Sequence, residues 1–237
     1  MKTTIGLFKP TASYPKQAIV VLFDLEGFSK FFSQPDVHEY VPKFLNLVLS
    51  NVEKCFLGGQ ASWALNSKDK QVEMEEIAKP IHSKFLGDGG LYIFDYTEFT
   101  ETKKIHLVNR LWMLKSNFQM IVSEASEDIP ILDLPKNIRF GVSAGSVYRL
   151  TYSNSNKEEY IGYSINLASR LQSYCREIGI SISGRLNIKS KQLEKLNYLK
   201  LAAKNIKGFP QEIVIVDKHD YEGLDDSIKT ELFDIIT

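Results

Sequence analysis

The stretch IHSKFLGDGGLYIFDY, residues 81–96, decides the fold. Its two halves, 81–86 and 91–96, are apolar and aromatic in the way strands are, and the glycine-rich turn between them makes the segment an antiparallel hairpin. Asp88, wedged among glycines, is by itself a turn residue, because glycine adopts backbone angles that other residues resist and Asp is a common turn former. A chemical role for Asp88 therefore needs a partner from elsewhere in the chain.

Upstream of the hairpin, residues 18–25 read as a buried strand, and Val41, Phe44, Leu45, Val48, Val52 and Cys55 recur at helical spacing over residues 38–56. Downstream, Leu107, Leu111, Leu114, Phe118 and Ile121 mark a second long helix. A loop at 130–135 ends it, and Ile138, Phe140, Val142 and Ala144 then alternate as a half-buried strand. The order βαββαβ predicts an α+β, ferredoxin-like core whose antiparallel sheet carries helices on one face. Residues 58–80 mix GG, SKDK and EMEE with little periodicity and read as an insertion. A helix after Gly162, a strand at 180–183, a helix to Leu196 and strands near 199–203 and 212–216 predict a C-terminal α/β extension. With neither repeat nor linker in view, the expectation is one domain over 1–237, with its core at 18–216 and an acidic tail at 217–237.

Composition narrows the class. The chain has 237 residues, 43% apolar and 24% charged, as an ordinary globular protein does. The apolar run 18–23 is too short for a membrane span and wrongly placed for a signal peptide, so a cytoplasmic protein without membrane contact is expected. A formal net charge of zero argues against a nucleic-acid binder that neutralises many phosphates. Charge is nevertheless uneven: Arg185, Lys189, Lys191, Lys195, Lys200, Lys204 and Lys207 face Glu194 alone, whereas acidic residues dominate after Val216. Cys55 and Cys175 lack metal-ligand spacing and are expected to be buried, reduced thiols. His82 is expected on a strand face or in a loop and not as a metal ligand, Trp63 and Trp112 in packing.

In this topology the first strand and the hairpin are neighbours, so Asp24, at the end of that strand, can meet Asp88. Two carboxylates at one corner repel unless a cation sits between them, and paired hard divalent ions roughly 3.5–4 Å apart serve in-line phosphoryl chemistry. Gly27 and the start of the following helix can offer backbone N–H groups to phosphate oxygens. Asn166 and Arg170, four apart, share one helix face. An arginine there can stabilise charge on a transferring phosphate, and an asparagine can hold a ribose.

The segments VVLFDLEGFSKFF (20–32), KFLGDGG (84–90), RFGVSAGSV (139–147), EYIGYSINLASRLQ (159–172) and NIKGFP (205–210), in this order, resemble the catalytic domain of class III nucleotidyl cyclases. The resemblance implies that Asp24 and Asp88 bind two Mg²⁺ or Mn²⁺ ions and that the backbone from Leu25 through Gly27 to Phe28 holds the triphosphate. It implies that Asn166 orients the ribose, Arg170 stabilises the transition state, Lys207 grips terminal phosphates, and Lys84 and Glu159 recognise the base. In such enzymes the ribose 3′-hydroxyl attacks the α-phosphorus and pyrophosphate leaves. The sites form across a head-to-tail homodimer, so Asp24 and Asp88 of one subunit would face Lys84, Glu159, Asn166, Arg170 and Lys207 of the other.

Glu159, seven residues before Asn166, departs from the family's adenylate pattern (Asp or Thr beside the lysine) and from its guanylate pattern. It reaches about one methylene beyond aspartate, on the order of 1.3 Å, which suits a smaller, single-ring base. Its carboxylate can accept from uracil N3–H or a cytosine amino group while Lys84 donates to a ring carbonyl. With the PIHSKFLGDGG and SAGSVYRLTY variants, the chain most resembles the pyrimidine cyclases of bacterial anti-phage defence, whose cyclic UMP or cyclic CMP activates a separate effector. The expected substrate is UTP, with CTP and ATP as alternatives. A catalytically inactive, nucleotide-binding homologue is a further reading, opposed by the presence of all five of Asp24, Asp88, Asn166, Arg170 and Lys207. A diguanylate cyclase is opposed by the hairpin, which lacks a Gly-Gly-Asp-Glu-Phe type of turn.

Overall fold

Alternating side chains of the first strand build two buried clusters at once. In the computed structural model, which describes residues 6–65, 70–126, 133–174 and 176–236, β1 (Lys16–Glu26) sends Ile19, Val21, Phe23 and Leu25 into one cluster and Ala18, Val20 and Leu22 into another. A strand buried on both faces reads as a continuous apolar run, as residues 18–23 do.

After β1 come the short α1 (Phe28–Phe32), a 3-10 turn at Val37–Glu39, and α2 (Val41–Leu57). Pro42 occupies the first turn of α2, where its missing N–H leaves no bond unmade. The inserted segment holds a strand pair, β2 (Gly59–Ala61) and β3 (Val72–Met74). Its Trp63 is buried and donates from Nε1 to Asn51 Oδ1 at 3.0 Å, stapling the insertion to α2. The hairpin follows as β4 (His82–Phe85) and β5 (Gly89–Asp95).

The second long helix is in fact two, α3 (Glu101–Ser116) and α4 (Phe118–Ser126). The break falls at Asn117, whose side-chain amide donates to the Trp63 carbonyl at 3.0 Å. The apolar periodicity runs through it, because Leu114, Phe118 and Ile121 all still enter the core. Part of the expected 130–135 loop and Cys175 lie outside the described residues. Cys55 is a buried free thiol, pushed well above its ordinary pKa by burial.

The chain continues through β6 (Asn137–Thr151), β7 (Glu158–Ile161), α5 (Tyr163–Gln172), β8 (Ile180–Ser183), α6 (Ser190–Lys195), β9 (Tyr198–Ala203) and β10 (Glu212–Asp217). The acidic tail folds as α7 (Lys218–Glu222), α8 (Asp226–Leu232) and β11 (Phe233–Ile235). The sheet order is β11-β9-β10-β8-β6-β1-β5-β4, with β7 pairing β6 off this path. β1 runs antiparallel to both β5 and β6, and β6 runs parallel to β8, with α5 in the crossover that a parallel pair requires.

Side chains of α2, α3 and α4 cover one face, as the ferredoxin-like core predicts. The other face is covered too, where helices on one face alone were expected. Ala168 and Ile165 of α5 and Tyr160 of β7 pack there over Val20, Leu22, Leu91 and Ile93. β7 belongs to an arm: β6 leaves β1 after the Lys16–Val147 pair, and its residues from Tyr148 to Thr151 pair with β7 instead. The N-terminal segment adds to the arm through a Phe8–Tyr152 bridge, Lys9 N–H donating to Thr151 O and Ser153 N–H donating to Leu7 O, both at 2.9 Å. Among the described residues no helix is long and apolar enough to cross a membrane.

Gly141 on β6 sets how closely α5 approaches. A Cβ there would lie 2.0 Å from the Ala168 carbonyl oxygen and 2.5 Å from the Gln172 nitrogen, both backbone atoms that cannot rotate away. Gly141→Ala is therefore expected to lower stability by about 1–3 kcal/mol, as overpacked cores do, read as a lower urea midpoint. An unchanged midpoint would show that α5 is not held at this distance.

Candidate active site

The pairing register brings Asp24 and Asp88 together. Asp24 is the β1 partner of Gly89 on one side and of Arg139 on the other, and the Leu25 N–H donates to the Asp88 carbonyl at 2.8 Å. The turn fits this tightly because Gly89 has no side chain: a Cβ there would meet the Phe23 carbonyl oxygen at 2.0 Å. Arg139 Nη2 reaches Asp24 Oδ2 at 2.5 Å, and Gln172 Nε2 donates to the same oxygen at 3.3 Å. Burial raises the Asp24 carboxyl, the bond and charge of Arg139 work against it, and the neighbouring Asp88 adds to the rise; the net position is above the ordinary carboxylate value.

A cleft of about 550 Å³ collects Asp24, Asp88, Leu25, Gly27, Phe28 and Arg139. Gly27 turns in the left-handed region at φ 89° and opens α1, so the first N–H groups of that helix border the cleft. An Asp24 carboxyl raised by burial and by the neighbouring Asp88, in a half-buried cleft, fits a hard divalent cation, whose charge relieves both the repulsion and the cost of burial. A second acidic group, Asp217, His219 and Asp220, has ligand atoms within 4.8 Å of one another. Its charges are already engaged, since Asp220 pairs with Lys115 at 3.0 Å and Asp217 caps the Asp220 N–H at 3.0 Å.

Lys84 and Glu159 meet within the chain. Lys84 Nζ bonds Glu159 Oε2, although one residue lies on edge strand β4 and the other on the arm. His82 shares the β4 face with Lys84, two residues away, and its Nε2 lies 3.8 Å from Glu159 Oε1. Burial works to raise the Glu159 carboxyl, but bonds from Lys84 and the Tyr160 N–H, with the Lys84 charge, outweigh it and hold Glu159 below its ordinary value. Glu159 is thus an ionised acceptor at neutral pH.

A third group stands on α5. Asn166, Ser169 and Arg170 are exposed along one face and share a cleft of about 370 Å³ with Lys207, Gly208 and Phe209. A polar clamp fixes the two elements together. Tyr163, at the start of α5, donates to Glu212 Oε1 at 2.5 Å and packs edge-on against Phe209. Arg185 forks onto both Glu212 oxygens at 3.1 and 2.7 Å and lies over the Tyr163 ring at 4.9 Å.

The expected residues therefore fall into three groups in one chain: Asp24 and Asp88 with Leu25, Gly27 and Phe28; Lys84 with Glu159; and Asn166 and Arg170 with Lys207. The cleft of the acidic pair includes no member of the other two groups. Arg139, Gln172 and the clamp of Tyr163, Arg185 and Glu212 were not anticipated. Arg139 had one available signal, because the register that sets Phe23 opposite Phe140 and Val21 opposite Val142 also sets Arg139 opposite Asp24.

No protein-family model matches the sequence, and no curated protein matches it either. Solved structures do. The adenylyl cyclase CyaB from P. aeruginosa superposes with a TM-score of 0.61 at 17% identity, over 87% of this chain and 95% of that one. The guanylyl cyclase Cya2 gives 0.58 at 18% identity, over 87% and 93%. The guanylate cyclase domain of RhGC from Catenaria anguillulae, solved in complex with GTP, gives 0.51 at 18% identity, over 86% and 97%. The chain has the mixed α+β fold of class III adenylyl and guanylyl cyclase catalytic domains.

Proposed function

We propose that the chain is a nucleotidyl cyclase that converts UTP to 3′,5′-cyclic UMP and pyrophosphate, working as a homodimer with sites shared between protomers. The observation that carries this reading is the division of one chain into complementary halves: an acidic pair beside backbone N–H groups in one cleft, and Asn166, Arg170 and Lys207 in another. Symmetric apposition of two copies joins the halves twice.

Asp24 and Asp88 hold two Mg²⁺ or Mn²⁺ ions, which when bound acidify the ribose 3′-hydroxyl and offset charge on the phosphates. Arg139 balances the acidic pair before cations arrive. The N–H groups near Gly27 and Phe28 receive triphosphate oxygens, and Lys207 of the partner subunit grips the terminal phosphates. Asn166 orients the ribose, and Arg170 meets the charge that develops during transfer.

For the base, the ionised Glu159 accepts from uracil N3–H while Lys84 donates to a ring carbonyl, and the added methylene of glutamate supports a single-ring base. CTP, whose amino group could also donate to Glu159, is the nearest alternative, and ATP the next. Following the resemblance to anti-phage pyrimidine cyclases, the product is a cytoplasmic second messenger read by a separate effector.

Incubation with ATP, GTP, CTP and UTP and Mn²⁺, with products identified by mass, is expected to yield cyclic UMP foremost; a product from ATP alone overturns the assignment of the base. Asp24→Ala and Arg170→Ala proteins are each expected to be inactive and to regain about a quarter of wild-type activity when mixed equally, since half the dimers are hybrids with one of two sites intact. No recovery in folded dimers counts against shared sites. Manganese at 100 times its dissociation constant is expected to stabilise the protein by about 2.7 kcal/mol for each ion bound, on the order of 5–10 °C in Tm for the first. That shift should vanish in Asp24→Asn and Asp88→Asn, and its persistence would place the cations elsewhere.

A further inference from the structure

His82 presents a buried polar atom without a partner. Its Nε2 is out of contact with solvent and makes no hydrogen bond, a situation that native interiors largely avoid. The nearest acceptor is Glu159 Oε1 at 3.8 Å, just beyond bonding distance, while Lys84 holds the other Glu159 oxygen. The imidazole is kept in place by the Tyr160 ring, 4.9 Å away, and by the β4 backbone, which pairs His82 with Ile93. Lys84 is the most exposed member of the trio, its side chain 46% exposed against 15% for His82 and 18% for Glu159.

We infer that His82 is a specificity-determining positioning residue that takes over Glu159 when a base draws Lys84 away. This rests on the reading of Lys84 and Glu159 as the base-recognising pair. A base that accepts from Lys84 removes one of the two bonds that orient the carboxylate and leaves the Tyr160 N–H, at 3.2 Å from Oε1, to hold it alone. A shift of under an ångström lets the His82 Nε2–H donate to Glu159 Oε1, which keeps Oε2 aimed at the base edge and satisfies the imidazole. His82 itself need not touch the nucleotide.

The groups that face His82 are Glu159 and Glu158 of the arm, Lys84 of its own strand, and the Tyr160 ring. Burial holds the imidazole below its ordinary pKa, Glu159 opposes that, and Lys84 adds to it. Removing Lys84 mimics its capture by a base. The Lys84→Ala change should raise the His82 titration midpoint, followed by ring-nitrogen NMR in the full-length protein, by more when Glu159 is present than when Lys84→Ala is added to Glu159→Gln. Equal rises in the two backgrounds would reflect only the lost lysine charge, and the inference would fail.

Turnover supplies the second arm. His82→Leu should raise KM for the nucleotide that the wild type prefers by about tenfold, the worth of one hydrogen bond to a charged group, and reduce its preference over ATP, while kcat changes little. His82→Gln, which returns an N–H donor near the Nε2 position, should restore both. Unchanged discrimination in His82→Leu, or no rescue by glutamine, overturns the role. A wild type that turns over no nucleotide would sink the proposed activity instead, and the titration of His82 would still decide whether it engages Glu159.

Discussion

Asp24 sits in a strand that has a neighbour on each edge, and this double pairing constrains the chemistry more than any single contact. With β5 on one side and β6 on the other, the position of Asp24 along β1 dictates both what lies beside it, the turn bearing Asp88, and what lies opposite, Arg139. A slip of one residue would turn the carboxylate to the other face of the sheet, into the cluster of Val21, Phe23 and Phe140. The apolar alternation of β1 that builds the core is thus also what aims the acid, so site geometry is protected by the full hydrophobic stabilisation of the sheet.

The same register explains the electrostatic state of the cleft. Two carboxylates and one guanidinium leave a net negative corner, half buried, where the Asp24 carboxyl already resists ionisation. Such a corner is costly without a cation and poorly explained as a stability device, because a paired buried charge is rarely a net gain over apolar packing. By contrast, Glu159 is held ionised by its neighbours, and the clamp of Tyr163, Arg185 and Glu212 is satisfied internally. Those two groups are paired internally, whereas the acidic pair keeps negative charge that Arg139 alone does not balance.

What could be read from the sequence follows the range of the interactions involved. The hairpin, both long helical patterns and the β6 alternation are local signals, and they located the core and the Asp24–Asp88 meeting point. The arm was missed because residues 148–161 are polar and charged, and its strands are specified by pairing with each other and with the N-terminal segment instead of by burial. The break at Asn117 was hidden because both helices bury the same stripe, and only the distant Trp63 carbonyl marks it. Arg185 reads as one member of a basic stretch and Glu212, 27 residues on, as the start of a strand until the fold makes them partners. His82, expected on a strand face or in a loop, opens β4, but nothing local tells that Glu159 stands over it.

The stitching of residues 7–9 onto the arm bears on how the protein can be handled. Glu159 hangs on a ribbon whose outer edge is closed by the N-terminal segment, so a fusion partner attached ahead of Leu7 would load the very element that presents this carboxylate. A tag at the far terminus would instead burden β11, which lies at the opposite end of the strand order from β4. Surface immobilisation or fluorescent labelling is therefore better anchored through the C-terminal side, where strain would have to cross the whole sheet before it disturbed Lys84 or its acidic mate.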